Sequence, residues 1–364
     1  MRLGVGGWVV MRRRPGLEPM VAGRRTGSRS AAGKPGTAQG IPSRSGLQRE
    51  QVTEMQRSRL LLGAVGAIEE HGYAGTTVAH ITQRARVSRR TFYELFEDRE
   101  ACLAALIEDV LALLEDELAQ AGLERLPWRE RVRGGLVVIL GFFDREPALA
   151  RVCVVQTLSS GPSVLEWRET ILTRLAGVLD EGRTESQRAS DCTTLTAEGL
   201  VGAAFGIVHA RLLRGERRAL LGLVGELMGM IVLPYMGPAA ARREQAMPTP
   251  KAPAPPQSGL LARMVSSGDP LHGLQMRWTY RTARVIQGIS ELPGASNREV
   301  ADYAGIHDQG QVSKLLARLQ RLGLIANTGD GHAKGEPNAW SLTPLGEQVA
   351  QRLRVSTSAA EKAA

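Results

Sequence analysis

The residues best suited to chemistry with another molecule are four arginines that fall within seven positions: Arg84, Arg86, Arg89 and Arg90. The segment 84–93 contains no acidic residue that would neutralise them. An arginine guanidinium donates paired hydrogen bonds to a guanine edge or to a phosphate, so this composition favours contact with DNA. Thr91 and Tyr93 add hydroxyl groups for further contacts to the backbone or the bases.

Two short helices are predicted to position these arginines. An apolar stripe over 60–68 ends near Gly72, and glycine commonly ends a helix. Thr77 is placed to cap one short helix, and Ser88 is placed to cap a second one after a tight break at Arg86-Val87. Two short helices joined in this way form a helix-turn-helix, whose second helix enters the major groove.

The stretch GYAGTTVAHITQRARVSRRTFYELFEDREACLAAL resembles the DNA-binding signature of tetracycline-repressor-like (TetR) regulators. The resemblance implies that several of its residues bind DNA: Thr77, Ser88, Arg89, Arg90, Thr91, Tyr93 and Arg99. The family often has Gly or Lys where this chain has Arg90, so the operator sequence is not predicted. The alternative is a solvated basic face on a structural helix.

A helical body follows, beginning with a long helix that Asp98 is expected to cap. The resemblance implies a ligand-binding and dimerisation domain, in which an unknown small-molecule effector alters DNA binding. Aromatic residues and one histidine are candidates for a pocket or for a core, so no ligand residue is assigned: Trp128, Phe142, Phe143, Trp167 and His209.

The last two helices of this body, over 193–236, are predicted to form a homodimer interface. They carry small residues at helical spacing that would let helices approach closely: Ala203, Gly206, Ala210, Gly222, Gly225 and Gly229. Packing within one chain is the alternative reading of the same residues.

A second helix-turn-helix is predicted near the C-terminus. Ser296 and Glu299 form a capping box, Asp308 caps a further helix that Gly323 ends, and two short strands over 324–326 and 339–342 flank a Gly-rich loop. This pattern resembles the winged helix of multiple-antibiotic-resistance-regulator-like (MarR) proteins. The second set of DNA-binding candidates is Gln309, Gln311, Ser313, Lys314, His332 and Lys334.

The role of this winged helix stays open between two interpretations. Glutamine reads adenine edges and lysine binds phosphate, which favours a second DNA reader. Residues 277–354, however, hold ten Lys or Arg against seven Asp or Glu, so their net charge is small. A protein-interaction or signal-sensing module is therefore the alternative.

Composition and charge set the domain organisation of this mainly α chain. Residues 1–50 hold ten basic residues against two acidic ones, which is eight of the nine net positive charges. The predicted domains are a disordered basic tail (1–48), the TetR-type helix-turn-helix (49–97), the ligand-binding and dimerisation body (98–237), a Pro-rich linker (238–275), the winged helix (276–354) and a disordered tail (355–364).

Several classes of protein are disfavoured. The three cysteines, Cys102, Cys153 and Cys192, are too few and too widely spaced for a disulfide framework or a metal site, although a redox-sensing thiol stays open. The most apolar stretch, over 220–236, is interrupted by a glutamate and a proline, and no signal peptide is convincing. Nucleotide-binding and hydrolase motifs are missing from the sequence. We expect a cytoplasmic bacterial regulator without cofactor, metal or catalytic residues.

Overall fold

The computed structural model describes residues 44–186, 192–215, 219–250, 279–329 and 338–351, with backbone only for 44–51. These residues are mainly helical and include one two-stranded antiparallel sheet near the C-terminus, which confirms the predicted fold class. The residues group into two compact units. The first holds Leu60–Ala85 and the described residues from Phe92 to 250, and the second holds 44–59, Arg86–Thr91 and the described residues from 279 onward.

The helices are α1 (Arg44–Gly75), α2 (Val78–Ala85), α3 (Arg89–Leu95), α4 (Arg99–Gln120), α5 (Trp128–Arg145), α6 (Pro147–Ala150), α7 (Pro162–Asp180), α8 (Gly182–Glu185), α9 (Thr194–Arg214), α10 (Val224–Ala246), α11 (Tyr280–Glu291), α12 (Asn297–Ala304), α13 (Gln309–Arg321) and α14 (344–351). Short 3-10 or π turns lie at Leu123–Arg125, Arg151–Val155, Gln156–Ser159 and Leu220–Leu223. The strands are β1 (Ile325–Asn327) and β2 (Trp340–Leu342).

The core of the first unit forms where α5, α7, α9 and α10 meet. Trp128, at the start of α5, is fully buried, and its indole Nε1 donates a hydrogen bond to the Val178 carbonyl at 2.9 Å. Its ring also meets the ring of Tyr235 edge to face at 5.1 Å. The polar atom of this large side chain is therefore satisfied inside an apolar core, as burial requires.

Helix α10 continues past the point where the Pro-rich linker was predicted to begin. Gly237 adopts φ 79°, which kinks the helix, and Pro238 then stands at the start of the resumed helix, where proline is tolerated. Glu244 is only 4% exposed and pairs with Arg129 at 3.2 Å and with Arg133 at 2.6 Å. Residues 238–246 are thus held in the helical body, whereas 251–275 of the predicted linker lie outside the described residues.

The stretch Leu220–Ala246 is long and apolar enough to cross a membrane by length and composition. More than half of its most apolar window is buried inside the protein, where α10 contributes to the core shared with α5 and α9. Core packing accounts for its apolar character.

The described part of the second unit includes α11 to α14, the β1–β2 hairpin and part of α1. Helices α11, α12 and α13 surround an apolar core that is closed by the β1–β2 hairpin, in which Ile325 pairs with Leu342 and Asn327 with Trp340. Val52 and Met55 are buried in this same core. The sequence had assigned residues 49–59 to the first helix-turn-helix, but these two side chains, three apart on one helix face, complete the core of the second unit.

Replacing a core side chain of α1 tests this assignment. Met55→Ala should lower the free energy of unfolding of the second unit by about 2–3 kcal/mol, because truncation of a buried methionine leaves a cavity. Hydrogen exchange of the amides in α11, α12 and α13 measures this unit alone. Met247→Ala is the control, since Met247 is 49% exposed and its loss should cost less than about 0.5 kcal/mol. Equal protection in the two variants would contradict a core role for Met55.

Candidate nucleic-acid interface and internal cavity

Each helix of the first helix-turn-helix begins at a hydroxyl side chain. The Thr77 Oγ1 accepts a hydrogen bond from the His80 amide at 3.2 Å at the start of α2. The Ser88 Oγ accepts one from the Thr91 amide at 3.0 Å and lies 2.9 Å from the Thr91 hydroxyl at the start of α3. These bonds satisfy amide groups that the first turn of a helix leaves without a partner. The structure thus gives Thr77, Ser88 and Thr91 a local structural role.

The turn between α2 and α3 depends on a left-handed residue. Arg86 has φ 54°, and it is the only non-glycine residue with positive φ in the described part of the chain. A side chain in this conformation costs free energy, because the Cβ crowds the backbone. The adjacent Val87 is buried, so the reversed backbone places an apolar side chain inward while the Arg86 side chain stays exposed.

Helix α3 has one buried face and one exposed face. Phe92 is completely buried and its ring lies 5.6 Å from the ring of Phe96, four residues later. Arg89 and Arg90 are exposed, and Tyr93 is 60% exposed although it is a large aromatic residue. The buried anchor of the helix therefore lies on a different face from its exposed side chains.

Arg84 forms an ion pair within the first unit. Its guanidinium donates to a carboxylate oxygen of Glu70, and its side-chain stem passes close to Gly66. All four arginines of the segment 84–93 are exposed, including Arg84, whose side chain is 44% exposed in spite of this ion pair.

Arg99, another predicted DNA-binding residue, contacts the end of α1. Its Nη1 donates to the carbonyls of Tyr73 at 3.1 Å, Ala74 at 3.3 Å and Thr76 at 2.6 Å, and its guanidinium lies 4.7 Å from the centre of the Tyr73 ring. Carbonyls at a helix C-terminus carry partial negative charge, which a cation stabilises. Tyr73 was not predicted as a site residue, and burial raises the pKa of its hydroxyl.

In the second helix-turn-helix, Asp308 occupies the N-terminus of α13. Its Oδ1 accepts from the amides of Gly310 at 2.8 Å and Gln311 at 3.1 Å, and the backbone bond from Gln311 lowers the pKa of this carboxyl. The Gln311 amide group is also engaged at both ends, with Arg281 at 2.8 Å and with Asp308 at 3.0 Å. The side chains of Gln309, Ser313 and Lys314 are exposed.

The base of the wing is held by a network that the sequence analysis did not identify. Asn327 donates to Asn338 at 2.8 Å, Asn338 donates to Asn297 at 3.2 Å, and the Trp340 indole donates to Asn297 at 2.6 Å. The network ties both strands to the first residue of α12. His332 and Lys334, predicted at the wing tip, lie outside the described residues.

The first unit contains a cavity of about 220 Å³ that is partly open to solvent. Its walls come from α4, α5, α7, α9, α10 and the turn at Arg151–Ser159, and nearly all the wall residues are apolar. Six of them carry polar groups: Glu115, Cys153, Thr157, Trp167, Arg168 and Arg174. Of the aromatic candidates, Phe143 and Trp167 line the cavity, whereas Trp128 and Phe142 are fully buried in the core. The described ranges hold no cluster of three side chains suited to binding a metal ion.

Comparison with known proteins places the best-defined similarity in the first helix-turn-helix. Residues 60–106 match the family of bacterial regulatory proteins described as the tetR family. No curated protein matches the chain.

Three solved structures illustrate the structural similarity. The fatty acid degradation regulator FadR from Bacillus halodurans is 20% identical, with a TM-score of 0.44, over 48% of this chain and 94% of that one. FadR from Bacillus subtilis in complex with stearoyl-CoA is 20% identical, with a TM-score of 0.43, over 48% and 97%. SmeT, the repressor of the Stenotrophomonas maltophilia multidrug efflux pump SmeDEF, is 19% identical, with a TM-score of 0.44, over 56% and 99%.

Proposed function

We propose that this protein is a cytoplasmic bacterial transcription regulator, most simply a repressor, that binds a palindromic operator as a homodimer and responds to a small molecule. The observation that carries the proposal is the division of α3 into a buried face at Phe92 and an exposed face with Arg89, Arg90 and Tyr93. The match of residues 60–106 to the tetR family supports it. We assign no enzymatic activity.

The dimensions of α3 suit the major groove. An α-helix with its side chains is about 10–12 Å in diameter, and the major groove is about 12 Å wide. Arg89, Arg90 and Tyr93 lie at positions i, i+1 and i+4, so all three project from one side of the helix. On this proposal the arginines bind guanine edges or phosphates, while Thr77 and Thr91 add contacts from the helix starts.

The double variant Arg89→Ala/Arg90→Ala tests this role. We expect at least a tenfold loss of affinity for the DNA upstream of the gene, because a base contact by arginine contributes about 1–3 kcal/mol. Fluorescence anisotropy over a salt series should also give a flatter log–log slope, by about 0.9 for each lost phosphate contact. Arg125→Ala, an exposed arginine remote in sequence, should leave affinity and slope unchanged. If the double variant binds like Arg125→Ala, α3 is not the reading helix.

The proposed dimer interface lies on the exposed side of α9. A side chain added at Gly199, Gly202 or Gly206 would meet nothing within 4 Å, while Leu213, further along this helix, is 62% exposed. Gly225 and Gly229 of α10 differ, since they lie against residues 244–245 and serve packing within the chain. The occupant we propose for the α9 face is a second copy, because a palindromic operator presents two half-sites about 34–36 Å apart.

A bulky residue on this face tests the dimer. Gly206→Leu should leave the fold intact, since the site is open, and should convert the dimer to a monomer in sedimentation velocity. Gly177→Leu, at an equally open glycine on α7, is the matched control and should stay dimeric. A dimeric Gly206→Leu variant would place the interface elsewhere or restrict these residues to packing within one chain.

For the winged helix we propose a second DNA reader, in which Gln309, Ser313 and Lys314 approach the groove and His332 and Lys334 contact the backbone. Two modules on one chain raise affinity through effective concentration. The alternative is a protein-interaction or signal-sensing module. Two observations favour that alternative: Asp308 places a negative charge at the start of α13, and the Gln311 amide already has partners.

Lys314→Ala separates these two roles, with Arg321→Ala as the control at the other end of the same helix. A DNA reader predicts a salt slope flatter by about 0.9 for Lys314→Ala and an unchanged slope for Arg321→Ala. A protein-interaction role predicts that both variants keep the slope and footprint of the unmodified chain. The substitutions are on exposed positions, so neither should disturb the fold.

The response to a small molecule is proposed to pass through α4. This helix lines the cavity with Ile107, Leu111 and Glu115, and it begins at Arg99, immediately after the helix-turn-helix. A ligand that moves α4 would therefore move the elements that Arg99 holds.

A further inference from the structure

We propose that the cavity of the first unit takes a ligand with an apolar body of about a dozen carbon atoms and a single carboxylate, which Arg168 binds. The inference rests on the proposed ligand response and adds the chemical class of the ligand. It is argued from the size of the cavity, the chemistry of its walls and the state of its charged side chains.

The size and walls of the cavity determine the body of the ligand. The cavity of about 220 Å³ is partly open to solvent, and the apolar side chains of its wall face space that no protein atom fills. At 10–15 Å³ per water-sized atom, the space accepts roughly 15 to 20 atoms. Side chains such as Leu111, Ile139 and Ile171 offer no hydrogen bond, so a hydrocarbon fits better than water.

The positive charge of Arg168 favours a ligand whose head group is negatively charged. Its guanidinium lies 4.6 Å from the centre of the Phe205 ring, and both residues line the cavity. Its Nε is buried and has no hydrogen-bond partner. A buried guanidinium nitrogen without an acceptor is costly, and a carboxylate matches the guanidinium with two parallel bonds.

The other polar groups of the wall do not compete for this role. Glu115 carries the opposite charge, but burial raises the pKa of its carboxyl while Arg174 lowers it. The Thr157 hydroxyl donates to the Cys153 carbonyl at 3.0 Å, and burial raises the pKa of the Cys153 thiol to about 12, so this thiol is neutral. The cavity wall holds Arg168 and Arg174 against Glu115, so its net charge is positive. An anionic ligand would neutralise this charge, whereas a cationic ligand would add to it.

The test compares three amphiphiles with the same twelve-carbon chain on the full-length protein: dodecanoate, dodecanol and dodecyltrimethylammonium. Isothermal titration calorimetry should give at least tenfold tighter binding for dodecanoate than for dodecanol, and the weakest binding for the ammonium. Arg168→Gln should remove the advantage of dodecanoate and leave dodecanol unchanged. Arg125→Gln, an exposed arginine outside the cavity wall, should retain it.

A cavity-filling variant locates the binding. Ala204 lines the cavity on α9, and Ala204→Phe should weaken both dodecanoate and dodecanol if they bind there. Circular dichroism checks that this variant is folded. The proposal is overturned if the ammonium binds most tightly and Glu115→Gln abolishes that binding. It is equally overturned if Arg168→Gln leaves dodecanoate unaffected, or if no amphiphile binds the folded protein.

A DNA titration with and without dodecanoate distinguishes a failure of this inference from a failure of the proposed function. Tight, Arg168-dependent binding with no change in operator affinity would support the ligand class and contradict the ligand response. If dodecanoate weakens operator binding by the unmodified chain but not by Arg168→Gln, both the ligand class and the proposed ligand response are supported.

Discussion

The guanidinium of Arg99 connects the start of α4 to the end of α1 within the first unit. It stands at the first position of α4 and donates to three carbonyls at the end of α1, while its plane covers the Tyr73 ring. Three acceptors around one nitrogen allow little freedom, because each bond is directional and falls off steeply with angle. The entry to α2 is thereby fixed to the start of α4. Arg99 positions the helix-turn-helix whether or not it also touches DNA.

Helix α4 extends from Arg99 to the cavity. It spans Arg99–Gln120, which is roughly 33 Å at 1.5 Å per residue, and its middle turns line the cavity. A ligand that fills the cavity gains dispersion contacts with α4 and with α7 at once, so it favours whichever separation of these helices suits its size. Because Arg99 is the first residue of α4, a displacement of this helix would also displace Arg99. This arrangement supplies a physical route for the proposed response without any flexible element between the two ends.

Short-range features of the sequence predicted the first helix-turn-helix well. The hydroxyl caps at Thr77 and Ser88 and the break at Arg86 depend on residues within three positions of one another, and the structure places each where the pattern indicated. The contacts that the sequence did not reveal are distant in the chain. Arg133 and Glu244 are 111 residues apart, and proline content alone suggested a linker at 238.

The same limit applies to α1, whose helical pattern runs without interruption through residues of both units. Periodicity identifies which face of a helix is apolar, but not which core that face enters. Val52 and Met55 are buried in the core of the second unit, whereas Leu60 and Leu61, a few residues further along α1, are buried in the first unit. The sequence placed all four in one domain because no local feature marks this change of unit.

The two helix-turn-helix segments differ in their electrostatics, and this difference bears on what each would contribute to DNA binding. In the first, α3 begins with the neutral hydroxyl of Ser88, so the partial positive charge of the helix N-terminus stays available to a phosphate beside Arg89. In the second, Asp308 already neutralises the N-terminus of α13, and its lowered pKa keeps it ionised. A phosphate would be repelled there. A DNA contact by α13 would therefore depend on Gln309 and on Lys314 one turn further, and it would add base discrimination more than electrostatic affinity.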